Sequence, residues 1–234
     1  MFNHQRVRSK LEKVLESEGI RVRYKDTSKF MWLLGKILFF NPKFMTDYIT
    51  TIHRTVYFPT KDFTKDDYRV WSVMAHEAVH AADSKKWTFP LFAFAYLFPQ
   101  SLSLLALGSI GAFWNLSYLW FLLALVLLAP LPAYGRMKFE MRGYAVSMAV
   151  YNWTAQVQNQ LSGTDRISTL QESPDWVVAQ FVGSSYYWMW PFKGDIEARL
   201  NGWLARIAYG QIETDIPIAG VVKEIVFEEL RENG

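Results

Sequence analysis

Two imidazoles four positions apart, with a carboxylate beside the first, make His76-Glu77-Ala78-Val79-His80 the stretch of this chain whose residue types and spacing could do chemistry. At 3.6 residues per turn, His76 and His80 stack on one helix face with their nitrogens converging, while Glu77 projects to the side where a metal-activated water would sit. The chemistry is metal-assisted hydrolysis, with zinc as the expected ion. The chain has 4 His and no Cys, so imidazoles and carboxylates are its only strong metal donors. Half of that scarce imidazole sits at ligand spacing, whereas His4 and His53 show no comparable arrangement.

The geometry needs a helix, and the flanking residues supply one. Thr64 is suited to be its N-cap, Asp66 and Asp67 put negative charge in its first turn, and Tyr68 to Ala82 contains neither Gly nor Pro. Val70, Val73, Met74, Ala78 and Ala81 give it an apolar flank, which predicts a buried helix whose metal face lines a cleft.

A catalytic zinc takes three protein ligands and leaves one position open, so the two histidines require a third donor from elsewhere. Glu140 is favoured, because an antiparallel hairpin between residues 87 and 135 would return the chain close to His80. Asp83 competes from the metal helix itself. One straight helix cannot easily wrap three donors around a tetrahedral ion, which suits Asp83 better to a supporting partner of the ligands or to the helix end. For the oxyanion formed during hydrolysis, Tyr144, Tyr57 and Arg142 are candidate donors.

From Trp87 to Gly135 there are 49 residues without a single charge, bounded by Lys85 and Lys86 before and by Arg136 and Lys138 after. The stretch divides into Phe89 to Leu107 and Leu116 to Leu131, which predicts an apolar helical hairpin that spans a bilayer, or one that lies in the interface or is buried in protein. With basic residues at both outer ends and none in the turn, the ends and the metal helix belong on the cytoplasmic side. An aromatic content of 17% suits a lipid-facing surface. A net charge of +3 without basic runs argues against nucleic acid as a partner. Met1 to Lys13 has no apolar core of a cleavable signal.

Elsewhere the pattern predicts a helix over His4 to Glu18 stopped by Gly19, a short strand over Ile20 to Tyr24, and a helix over Ser28 to Phe40 that packs in the core or, less favoured, on a membrane surface. Ile49 to Phe58 is expected as one edge strand, with Thr51, His53, Thr55 and Tyr57 on a shared face, able to hold an extended peptide by main-chain hydrogen bonds. Arg136 to Leu161 is expected as a long helix, followed by a polar loop to Pro174 with Ser173 as the next N-cap. Phe181 to Phe192 is an aromatic cluster suited to the core. Helices over Gly194 to Tyr209 and Ile216 to Glu229 complete the chain, the last with Glu224, Glu228 and Glu229 on a solvated face.

The order of a His-Glu-x-x-His helix, a two-span apolar hairpin and a glutamate helix resembles the gluzincin integral-membrane endopeptidases, the group of the CAAX prenyl proteases and the bacterial heat-shock membrane protease. That family carries a pattern close to Arg-x-x-Glu-x-x-Ala-Asp. Here Arg136 to Tyr144 keeps the glutamate, Glu140, and a small residue, Gly143, while Tyr144 stands where the family has Asp. With Thr55-Val56-Tyr57-Phe58-Pro59 ahead of the metal helix, the chain is also similar to short metallopeptidase-like proteins of bacteriophages, some of them virion components. The resemblance covers about Ile49 to Met148. It implies a mainly α (α+β) zincin-like domain over 1–234, with a small sheet, the metal helix and an inserted apolar hairpin at 87–135. It further implies Zn2+ held by His76, His80 and Glu140, Glu77 as general base, and a peptide or protein substrate; Tyr144, which departs from the family pattern, is this chain's own candidate for an assisting catalytic role. The alternative is a zincin-fold structural protein, such as a virion component, that meets membrane without proteolysis.

Overall fold

Local signals punctuate the chain where the sequence leads one to expect. The computed structural model describes residues 2–39, 41–64, 67–164, 175–184 and 188–233. Helix α1, His4–Ser17, begins where the Asn3 side chain accepts from the Arg6 N–H at 3.0 Å, and ends at Gly19, whose φ of 73° suits a residue without a Cβ. Helix α2, Lys29–Ile37, is capped by Ser28 accepting from the Met31 N–H at 3.3 Å. The metal-motif helix α3 runs Asp67–Trp87, with the motif near its middle. The caps expected from Thr64 and Asp66, and from Ser173 and Pro174, lie outside the described residues or their described side chains.

The protein is mainly helical with one small sheet. Its strands are β1, Arg21–Tyr24, β2, Thr50–Ile52, and β3, Thr55–Phe58, in the order β1-β3-β2, with β1 parallel and β2 antiparallel to β3. The single strand expected over Ile49 to Phe58 is therefore a hairpin, turned at His53, whose φ is 52°. Thr50 pairs with Tyr57 and Thr51 with Val56, so Thr51 and Tyr57 stand on opposite faces rather than sharing one. The strand that precedes α3 in the chain, β3, is central, and β1 and β2 are the edges.

The chain divides into two units, and the boundary passes through α5, Tyr134–Ser162, just after Met141. The first unit comprises Met1–Lys86, Arg142–Gln171 and Leu204–Gly234. Its core joins α1, α3, the sheet and the body of α5, with Leu11, Leu15, Phe58, Trp71, Met74 and Val150 inaccessible or nearly so. Helices α8, Ile212–Asp215, and α9, Pro217–Asn233, complete it. Glu229 does not lie on a solvated face. It is fully buried against α1, accepts from the Asn3 N–H at 3.1 Å and lies 3.5 Å from Arg6, because the helix end must satisfy the start of α1.

The second unit comprises Trp87–Met141 and Glu172–Trp203. It starts where the charges stop, but it also takes in the beginning of α5, α6, Asp175–Val182, and most of α7, Lys193–Ala208. Met189 accepts from the Ala133 N–H at 2.9 Å, and the Tyr134 and Trp190 rings meet at 5.5 Å, contacts that composition alone does not announce. The apolar stretch is not two continuous spans. Helix α4, Phe89–Leu97, is followed after Pro99, which has no N–H to continue it, by a 3₁₀ helix over Gln100–Phe113 bent from it by 104°. A second 3₁₀ helix, Leu116–Leu128, packs against the first where Gly108 admits Phe121 and Gly111 admits Tyr118. Among the described residues no single helix is long and apolar enough to cross a membrane.

Candidate metal centre

On α3 the four-residue spacing does what helix geometry requires. His76 and His80 are both buried, and their Nε2 atoms lie 3.2 Å apart. Two nitrogens bound to one tetrahedral zinc lie about 3.3 Å apart, given a Zn–N distance of about 2.0–2.1 Å. Two imidazoles held this way in a protein interior are costly unless something satisfies both ring faces.

Helix α5 brings the rest. Glu140, Gly143, Tyr144 and Ser147 recur at the i, i+3, i+4, i+7 positions of a single stripe. Glu140 is buried, and it, His76 and His80 each offer a ligand atom within 4.8 Å of the others. Gly143 leaves the space that the His76 ring fills, since a Cβ there would sit 2.6 Å from Nε2. The Tyr144 ring meets His76 edge to face with centroids 4.9 Å apart. Ser147 Oγ donates to the Gly143 carbonyl at 3.3 Å and lies 3.2 Å from His76 Nδ1. A hydroxyl has one proton to give, so in the Nδ1–H tautomer of His76 Ser147 accepts from the ring and the Nε2 lone pair is left for a metal. A buried pair of imidazoles plus one carboxylate is a donor set that fits zinc.

Glu77 differs from its neighbours in being only partly buried. Thr51 Oγ1, on the edge strand β2, donates to its Oε2 at 2.6 Å and fixes the carboxylate. Lys25, just past β1, is fully buried. Its ammonium donates to the Phe44 carbonyl at 2.6 Å and lies 4.1 Å over the Phe44 ring. Burial pushes the Lys25 ammonium down to about 8 from 10.5, and the negative charge of Glu77 opposes that fall.

The other oxygen-donor contact comes from the apolar stretch. Tyr96 on α4 donates its hydroxyl to Glu140 Oε1, and the Arg136 guanidinium lies 5.4 Å over the Tyr96 ring. Close approach makes this possible: a Cβ on Gly135 would fall 2.1 Å from the Ala95 carbonyl oxygen, so only glycine lets the start of α5 meet α4 here.

Of the remaining candidates, Asp83 is taken by Arg142, whose Nε and Nη2 reach its two oxygens at 3.1 and 3.2 Å. That fork-shaped pair occupies both groups and leaves Glu140 as the carboxylate of the three-donor cluster. Tyr57 is buried in β3, and His53 Nδ1 lies 3.3 Å from Ser84 Oγ. Sequence reasoning passed over Ser147, Tyr96, Thr51 as the partner of Glu77, and Lys25. For Ser147 a signal existed, because it completes the seven-residue stripe with Glu140. Comparison with protein-family profiles, curated proteins and solved structures finds no match for the chain.

Proposed function

We propose that this chain is a zinc-dependent endopeptidase. The observation that carries the reading is the buried cluster of His76, His80 and Glu140, with the more exposed Glu77 held beside it by Thr51. Among the described residues the cluster has three donors, the number that a catalytic zinc keeps, whereas a structural zinc takes four. This favours the enzyme over the structural scaffold. When bound, zinc lowers the pKa of water and polarises a carbonyl oxygen. Glu77 accepts the proton of the attacking water and returns it to the leaving amine as the C–N bond breaks. Thr51 holds one Glu77 oxygen and leaves the other to act. The edge strand β2 offers main-chain groups to an extended peptide. The likeness to gluzincin membrane endopeptidases is consistent with this chemistry.

Glu77→Gln tests the proposal. The variant is expected to retain zinc and to lose peptide hydrolysis by on the order of 10²–10⁴-fold, the usual worth of a positioned general base. Undiminished cleavage of a peptide library would remove Glu77 from the mechanism.

We further propose that residues 87–135 meet lipid, with the metal helix on the cytoplasmic side. Leu116–Leu128 buries none of its side chains, and Phe113, Trp114 and Trp120 are 90%, 83% and 72% exposed. An apolar surface of that extent, flanked by lysines and arginine, suits the hydrocarbon and headgroup layers better than water.

A further inference from the structure

The first unit carries an apolar surface of its own, on α2. The sequence favours the core for this helix, yet Met31 is its only buried residue. Phe30, Leu33 and Ile37 are 53%, 53% and 61% exposed and fall at i, i+3 and i+7, one outward stripe of the helix. Trp32 and, past the helix end, Phe39 are exposed as well. Lys29 and Lys36, seven residues apart, run along one flank of that stripe, and the Lys36 ammonium lies 3.8 Å over the Trp32 ring. The neighbouring face, on the side away from the lysines, is fastened. Met31 packs with Phe44 and Tyr57, Leu34 and Leu38 close over them, and Gly35 sits against Met45. The stripe is therefore a fixed feature of the unit's surface.

We infer that α2 is a membrane-surface anchor, lying in the headgroup layer of a bilayer that contains anionic lipid. The choice of occupant follows from charge and residue type. The core of a protein interface is depleted of lysine. A stripe of Phe, Leu and Ile edged by lysines and a tryptophan instead matches a helix that reaches acyl chains with one face and phosphates with its flank. Asp26 and Asp47 lie outside α2, beyond its ends, so its own charge is purely basic. The inference deepens the lipid association proposed for residues 87–135 by adding a contact that the metal-bearing unit makes itself.

Because the chain has no cysteine, a single reporter can be placed cleanly. Full-length Leu33→Cys, labelled with an environment-sensitive fluorophore, is mixed with phosphatidylcholine vesicles with and without phosphatidylserine. A label on Glu224→Cys, an exposed position on α9, serves as the control. The residue 33 label is expected to shift to the blue and to be quenched by headgroup-level nitroxide lipids, while the control stays aqueous. Lys29→Gln with Lys36→Gln is expected to weaken binding to the anionic vesicles by about 30-fold, from two lysines near the surface. Sedimentation of the protein with vesicles while the residue 33 label stays aqueous would overturn the inference and leave the role of residues 87–135 standing. A blue shift without vesicles that grows with protein concentration would overturn it in favour of a second copy covering α2. Failure to sediment with either vesicle would overturn both readings.

Discussion

Helix α3 and the 3₁₀ helix Leu116–Leu128 invert the usual relation between composition and burial. The first carries two histidines, a glutamate, two aspartates and three other basic residues, yet it buries His76, His80 and Asp83 along with its apolar side. The second is almost wholly apolar and buries nothing. What decides burial here is the availability of partners. The polar side chains of α3 go inside because α5 and β2 bring groups that satisfy them, and the leucines of residues 116–128 stay exposed because, among the described residues, their main packing partner is one short helix, Gln100–Phe113, which covers a single side. A buried polar cluster and an exposed apolar helix are the two observations on which the proposals of an ion and of lipid contact rest.

The largest way to break this comparison is to remove the carboxylate proposed as the third ligand. Glu140→Ala is expected to abolish stoichiometric zinc binding, measured by metal analysis after dialysis, while Asp83→Ala keeps zinc and loses stability through the unpaired Arg142. The reverse order would move the ligand role to Asp83. Gly143→Ala comes next. Its Cβ would force the His76 ring aside, so zinc occupancy is expected to fall sharply, with a smaller change in helix content by circular dichroism. Retained occupancy would mean that α5 can retreat.

Smaller effects sharpen the comparison. Tyr96→Phe deletes a hydroxyl that the apolar stretch donates to Glu140 and should weaken zinc affinity by roughly 10–100-fold, as the loss of a ligand's supporting hydrogen bond does. Titration calorimetry giving an unchanged affinity would make the apolar stretch energetically separate from the metal centre. Lys25→Met tests the cost of a buried cation. With its pKa near 8 when folded and 10.5 as the ordinary value, the unfolded chain binds more protons between those limits. Wild-type stability should therefore rise from about pH 8 to pH 10.5, by on the order of 3 kcal/mol in total, and Lys25→Met should flatten that rise in urea unfolding. An unaltered pH profile would assign it to other groups.

Legibility in the sequence followed the range of the interactions. The ends of α1 and α2 were readable because Asn3, Ser28 and Gly19 act on backbone groups within one turn. His76 and His80 were readable because four residues of helix fix their convergence. Glu140 was reached by topology, and the strand expected over residues 49–58 failed at His53, where a positive φ in a non-glycine residue gave no compositional warning. The exposure of α2 was misjudged because an almost continuous apolar run has no periodicity to say which side meets the core.

By itself the sequence determined the histidine pair at ligand spacing, the charge-free segment and the helices that frame them, since each rests on neighbours along the chain. Only the tertiary structure decided which carboxylate joins the histidines, which hydroxyls hold them and which apolar faces stay uncovered. Thr51 reaches Glu77 across 26 residues, Tyr96 reaches Glu140 across 44, and Ser147 reaches His76 across 71. Such partners are chosen by tertiary packing, in part through the room that Gly135 and Gly143 leave; the stripe on α5 marks Ser147 as sharing a face with Glu140, but it does not say which side chain that face meets.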